Sequence, residues 1–339
     1  MPGHDRVLVV DDALFDLHAA TANHPERPAR LDAARAGLRA AGLSTEQLPP
    51  VDAARALLSR VHAEPYLNRL DDLRGARGML DPDTYMSPRS IDAAVRAAGG
   101  VGAIGAALAT GESLRGIALV RPPCHHALPN KAMGFCLLNN IAVGAEAARA
   151  AGARRVAIVD IDVHHGNGTQ AIYWRDPDVL YLSMHQHPFY PGTGDLRERG
   201  EGPGLGSTIN VPLSEGADDA VYANAVEEVV TPAVRAFRPD VVLVSAGFDA
   251  FVADPLAGMA VTAEGFAFVV SAIGRAADDV GAPVGMVLEG GYDLAGLEEC
   301  MRAASRALMG EGARDPRDHP MSGRHRVEIE RAAAAREGT

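Results

Sequence analysis

Arg155-Val156-Ala157-Ile158-Val159-Asp160-Ile161-Asp162-Val163-His164-His165-Gly166-Asn167-Gly168 runs from an unbroken apolar stretch straight into charge. The stretch is continuous rather than alternating, the pattern of a β-strand covered on both faces. A strand repeats every two residues, so Asp160, Asp162 and His164 are expected on one face, with Ile161 and Val163 opposite. Two carboxylates and an imidazole are too costly to bury together unless a cation gathers them. Carboxylate oxygen and imidazole nitrogen suit zinc or a similar divalent ion. The following glycines let the backbone turn sharply beside the site. The stretch therefore predicts a metal centre at the end of a buried strand.

Similar apolar runs recur at Val7–Val10, Gly116–Val120, Val179–Ser183, Val241–Ser245 and Val284–Leu288. Between them the helical period marks Pro28–Ala41, Pro88–Ala109, Leu137–Ala151, Asp218–Phe237, Ala263–Val280 and Leu294–Met309, the second with Ser87 as its N-cap. This alternation predicts an α/β fold of three layers, α/β/α, around a mostly parallel sheet. No repeat or low-complexity linker divides the chain, so residues 1–339 read as a single domain with a core of about 5–310 and a peripheral segment from 311 to 339. Loops at 70–88 and 185–207 are long and rich in Gly, Pro and charge, which favours function over idle connection.

Composition narrows the class. With 47% hydrophobic and 22% charged residues in 339, the chain buries a large core and is not disordered. A formal charge of -12 argues against nonspecific nucleic-acid binding, and no uninterrupted apolar run approaches membrane-spanning length. The first twelve residues carry no long apolar stretch. Three cysteines, Cys124, Cys136 and Cys300, make neither a CxxC pair nor a dense framework, and a reduced cytoplasmic protein is expected.

Polar residues collect just past the strands: Cys124-His125-His126, the opening motif, His185 and His187, Gly247-Phe248-Asp249, and Glu289-Gly290-Gly291-Tyr292. In open α/β sheets ligands bind outside the carboxyl ends of the strands. Asp162 and His164 supply two ligands, and Asp249, following another buried strand, is the best third. His125-His126 can act as general base and acid. Tyr292, after two glycines, can donate to a developing oxyanion. Metal, base and donor together predict attack of an activated water on a carbonyl, which is amide or ester hydrolysis.

Taken in order, His24–Pro28, Arg60–His62, Asp83–Tyr85, Arg121–Ala127, Gly134–Cys136, Asp160–Gln170, Ser183–His185, Pro191–Gly194, Ala246–Ala250, Asp254–Leu256 and Glu289–Tyr292 resemble the histone deacetylase superfamily of the arginase/deacetylase fold. The likeness covers about residues 5–310 and is greatest to class II enzymes and bacterial histone deacetylase-like amidohydrolases. It implies a zinc-dependent deacetylase with Asp162, His164 and Asp249 on the ion. His126 would be the general base and acid, His125 an electrostatic partner oriented by Asp160, and Tyr292 the group polarising the acyl carbonyl. Asn167 stands where class I enzymes carry an Asp, leaving His126 a neutral partner as in class II. Phe135 and Tyr190 would sandwich the substrate stem, with Gly134 allowing close approach. A structural potassium is implied near Asp160, Asp162, His164, Ser183 and Met184, and a second site around Tyr173, Asp176 and Val179. Arg30 would line an internal channel behind the metal.

Two residues depart from the family pattern: Cys124 and Ala257 replace glycines common in relatives. Two substrate classes fit the family: acylated lysine in peptides or proteins, or a small acylated amine such as an acetylpolyamine. Leu256, where polyamine-selective relatives can place an acid, favours acyl-lysine, and Asp83 would hold a peptide backbone. A non-catalytic acyl-lysine binder would have lost a ligand, the base or the tyrosine, and none is missing. The resemblance also allows a homodimer or homotetramer.

Overall fold

The computed structural model describes residues 6–20 and 23–338. In chain order the strands are β1 (Val7–Val10), β2 (Thr45–Gln47), β3 (Gly78–Asp81), β4 (Thr84–Met86), β5 (Arg115–Ala118), β6 (Val156–Asp160), β7 (Val179–Gln186), β8 (Thr208–Leu213), β9 (Val241–Ala246) and β10 (Val284–Leu288). Eight of them form one sheet in the order β2-β1-β5-β10-β9-β6-β7-β8, every pair parallel. β3 and β4 make a separate antiparallel hairpin. The six expected strands are all present, and their apolar side chains are buried on both faces.

The helices are α1 (Ala29–Ala40), α2 (Arg55–Leu58), α3 (Glu64–Asp72), α4 (Ser90–Ala109), α5 (Asn140–Ala150), α6 (Asn167–Tyr173), α7 (Asp219–Ala225), α8 (Thr231–Phe237), α9 (Ala263–Asp278), α10 (Leu294–Leu308) and α11 (Gly323–Glu337). α4 and α5 pack on each other and cover β5, β6, β9 and β10, while α1, α9 and α10 stack as the opposite layer. Ser90–Ala109 has the length and composition of a bilayer span, but 72% of its apolar window is buried in this fold. α11 lies against β8 with Ile329 and Ala332 fully buried.

Four sequence expectations need correction. The segment expected as one helix over Asp218–Phe237 is helical throughout from Asp219, but not as one α-helix: a wide π-helical stretch, Val226–Val230, lies between α7 and α8. Pro232 has no N–H and its ring would strike the carbonyl four residues back in a continuous helix. Ser87 does not cap α4, which begins at Ser90 after Arg89; the Ser87 hydroxyl instead donates to Leu17 O (3.1 Å). The 70–88 loop contains the β3–β4 hairpin. β7 runs three residues past Ser183, so His185 belongs to the strand and is buried.

Because all eight strands point the same way, their carboxyl ends share one edge. Asp160 on β6 aligns with Ser245 on β9, and Ser245 with Val287 on β10. The residues that follow these positions meet at the centre of that edge.

Candidate active site

β6 stops at Asp160, and two tight side-chain turns carry the chain onward. Asp160 Oδ1 accepts the Asp162 N–H (3.2 Å), and Asp162 Oδ1 accepts the His164 N–H (2.9 Å). The strand-like projection expected through His164 therefore ends at Asp160. Asp160 turns toward His125, while Asp162 and His164 face Asp249. The ligand atoms of Asp162, His164 and Asp249 lie within 4.8 Å of one another, and all three residues are buried or nearly so. Their spare bonds hold them in place: Asp249 Oδ1 accepts the Val163 N–H (2.9 Å) and Asp162 Oδ2 the Gly290 N–H (2.9 Å).

The donor set suits a divalent cation. His164 Nδ1 sits 3.2 Å from Asp162 Oδ1 and 3.1 Å from Asp249 Oδ2, so one nitrogen faces two carboxylates. Burial alone would depress His164, yet these carboxylates hold its pKa up to about 10. The cluster calls for positive charge between its three donors, which a metal supplies.

Beside it stand the tandem histidines, ring centres 4.0 Å apart. His125 Nδ1 contacts Asp160 Oδ2 (3.0 Å), and His126 Nδ1 contacts Asn167 Oδ1 (2.8 Å). Burial opposes charge on His125, but Asp160 and Asp162 keep its pKa well above the ordinary 6.5. Burial, with His125 and His164 beside it, pushes His126 well below that value. Asn167 accepts the Nδ1 proton of His126, which leaves Nε2 free to act as a base.

A cavity of about 230 Å³ opens onto this centre, lined by His126, Gly134, Phe135, Tyr190, Leu256 and Tyr292. Gly134 has φ +58°, and a Cβ there would lie 2.4 Å from the His126 ring. Asp83 also lines the cavity, and its Oδ1 accepts the Gly134 N–H (3.2 Å). Tyr292 is buried, with the Arg30 guanidinium 4.8 Å from its ring centre. Arg30 is fully buried and donates to the carbonyls of Gly291 (2.6 Å) and Glu289.

The histone deacetylase domain model matches residues 24–308. The chain belongs to the histone deacetylase family. It is 43% identical over 296 residues to histone deacetylase 15 of Arabidopsis thaliana, covering 85% of this chain and 53% of that protein, about half its length. It is 41% identical over 308 residues to a histone deacetylase-like amidohydrolase of Pseudomonas aeruginosa, covering 88% and 80%. A probable deacetylase of Archaeoglobus fulgidus is 38% identical over 284 residues, covering 82% and 79%. The crystal structure of the HDA15 HD domain superposes with a TM-score of 0.91 at 36% identity, over 99% of this chain and 95% of that one.

Within this histone deacetylase fold the residues expected around potassium sit close by. Asp160 and Ser183 are paired neighbours across β6 and β7, and Met184 follows, fully buried. Tyr173, Asp176 and Val179 lie along the approach to β7, with the Asp176 carboxylate bound by Arg149 (2.8 Å). His185 is no part of the cavity; its imidazole bridges Ser183 Oγ (2.9 Å) and Gly194 O (3.0 Å) under the loop. The Cys124 thiol turns away from the cavity and donates to Glu289 Oε1 (2.6 Å). Burial, then the Glu289 charge, raises its pKa well above the usual value, so it stays a neutral thiol.

Two functional-site carboxylates escaped the sequence reading as contributors. Glu289 accepts the backbone N–H groups of Cys124 (2.6 Å) and His125 (3.3 Å) and so fixes the histidine loop. Asp254 accepts N–H groups from two separate segments. Both residues fall within the family-like stretches, and Glu289 also directly follows β10.

Proposed function

We propose that the chain is a zinc-dependent amidohydrolase that removes acetyl or other acyl groups from lysine side chains. The observation that carries this reading is the buried Asp162–His164–Asp249 cluster, whose His164 lines the same cavity as His126 and Tyr292. When bound by these three residues, a zinc ion would polarise the acyl carbonyl and acidify a water molecule. His126 Nε2 takes the proton of the attacking water and returns it to the departing amine nitrogen. Its low pKa keeps it neutral and ready to accept that proton near pH 7. Asp160, 3.0 Å from Nδ1, helps hold His125 as an imidazolium, and that ring stands beside His126. Burial raises the Tyr292 phenol far above its ordinary range, so it remains protonated and donates to the carbonyl oxygen as charge develops. A potassium ion near Asp160, Ser183 and Met184 would brace the β6–β7 side of the centre.

The walls favour an aliphatic stem. Phe135 and Tyr190 border the cavity and Leu256 adds apolar surface at its rim. Asp81 is paired with Lys131 (3.0 Å), and Asp83 at the cavity has Oδ1 occupied by the Gly134 N–H (3.2 Å) and the Thr84 hydroxyl (3.0 Å), which weakens the pull on a distant ammonium that a polyamine needs. Free, buried cysteines at 124, 136 and 300 fit a reducing, cytoplasmic setting.

On zinc-loaded protein, acetyl-lysine peptides are expected to exceed acetylated polyamines in kcat/KM. A preference of about 100-fold the other way, about 2.7 kcal/mol, would establish the polyamine amidohydrolase instead.

A further inference from the structure

Asp254 is 7% exposed, and no ion pair neutralises it among the described residues. Both its oxygens are spent on backbone. Oδ2 accepts the N–H of Tyr292 (2.6 Å) and of Asp293 (3.3 Å), and Oδ1 accepts the N–H of Leu256 (3.0 Å). Leu256 and Tyr292 both border the cavity, from segments 36 residues apart. One buried carboxylate therefore ties the substrate wall to the loop bearing the phenol.

That loop needs a tie. Gly291 has φ +117°, a conformation few other residues adopt, and two consecutive glycines give Tyr292 wide conformational freedom. Arg30 grips the loop by its carbonyls, and Asp162 holds the Gly290 N–H. The Tyr292 N–H has Asp254 as its acceptor. We infer that Asp254 is a positioning residue, acting through Tyr292: it fixes the phenol at the height of the acyl carbonyl and keeps Leu256 in step with it. This rests on the role proposed above for Tyr292. The competing explanation is that Asp254 only closes its own turn at Leu256, which would leave Tyr292 indifferent to it.

The experiment is a double-mutant cycle with Asp254→Asn, Asp254→Ala and Tyr292→Phe, read by kinetics on an acetyl-lysine peptide and by amide hydrogen exchange. Asp254→Ala is expected to lower kcat about 30-fold with KM within about 3-fold, and Asp254→Asn to lose less, since it keeps one acceptor oxygen. In the Tyr292→Phe background the same changes cost less than about 3-fold, because the group they position is already gone. Exchange at the Tyr292 and Asp293 amides speeds up about 10-fold or more while Gly290 is unaffected. Equal losses in both backgrounds, or wild-type exchange at Tyr292, would overturn the inference. Should Asp254→Ala fail to fold, Asp254→Asn carries both readouts. Should Tyr292→Phe keep full turnover, the phenol's catalytic role falls, and the exchange rates alone decide whether Asp254 positions the loop.

Discussion

Replacing His126 by alanine lowers kcat for acetyl-lysine hydrolysis by about a thousandfold, within the range general acid–base groups contribute. The expectation follows from its position: Nδ1 is committed to Asn167 at 2.8 Å, and the ring borders the cavity. Metal binding is expected to be unchanged, since His126 is not among the three clustered donors. The pH profile follows from the same geometry. Only neutral His126 accepts a proton, so activity falls as pH drops through its pKa. Burial and the neighbouring imidazoles place that pKa below 6.5, and the acid limb of kcat/KM belongs below that value. Asn167→Asp puts a carboxylate on Nδ1, stabilises the imidazolium, and shifts the limb upward by about one pH unit. If His126→Ala kept most of its activity and His125→Ala lost it, the two roles would be reversed.

Glu26→Gln is expected to cost about 3–5 kcal/mol of folding stability, the usual penalty for leaving a buried charge without its partner. Glu26 is fully buried, and its carboxylate binds the Arg121 guanidinium through both oxygens, Arg30 Nη1 (3.2 Å) and the Tyr85 hydroxyl (2.8 Å). Gln keeps the shape and removes the charge. Burial would raise the Glu26 pKa, but Arg121 and the hydrogen bond with His18 hold it well below 4.5. A group depressed in this way stabilises the fold above its unfolded pKa near 4.5, and the contribution drains as pH falls from there toward the folded value. Denaturant unfolding at pH 7 and at pH 4 should therefore show a large gap between wild type and variant that narrows at the lower pH. A loss under about 1 kcal/mol at pH 7 would mean that water or local rearrangement solvates Arg121. Arg30 links this cluster to Gly291, so the variant should also lose turnover.

The central strands were legible because both of their faces are buried, which forces continuous apolar runs such as Val156–Val159 and Val241–Val244. The edges were not. β2 reads Thr-Glu-Gln and is largely exposed, and β8 contains Pro212, which an edge strand accommodates because it has a neighbour on one side only. The metal donors and tandem histidines could be read as chemistry, since buried carboxylates and imidazoles at strand ends demand a reason. Their partners could not. Whether Asp254 and Glu289 find backbone N–H groups 35 or more residues away depends on how loops cross, and local sequence carries no trace of that crossing. His185 shows the opposite failure: a histidine beside the site serves as a buried brace between Ser183 and Gly194.

The most direct measurement titrates zinc into metal-stripped protein while following hydrolysis of an acetyl-lysine peptide. Turnover should rise in proportion to added zinc and level off at one ion per chain, with Asp249→Ala binding little and turning over less. Full activity in the metal-free protein, or one tightly bound ion per chain with no hydrolysis of any acyl amide, would contradict the account.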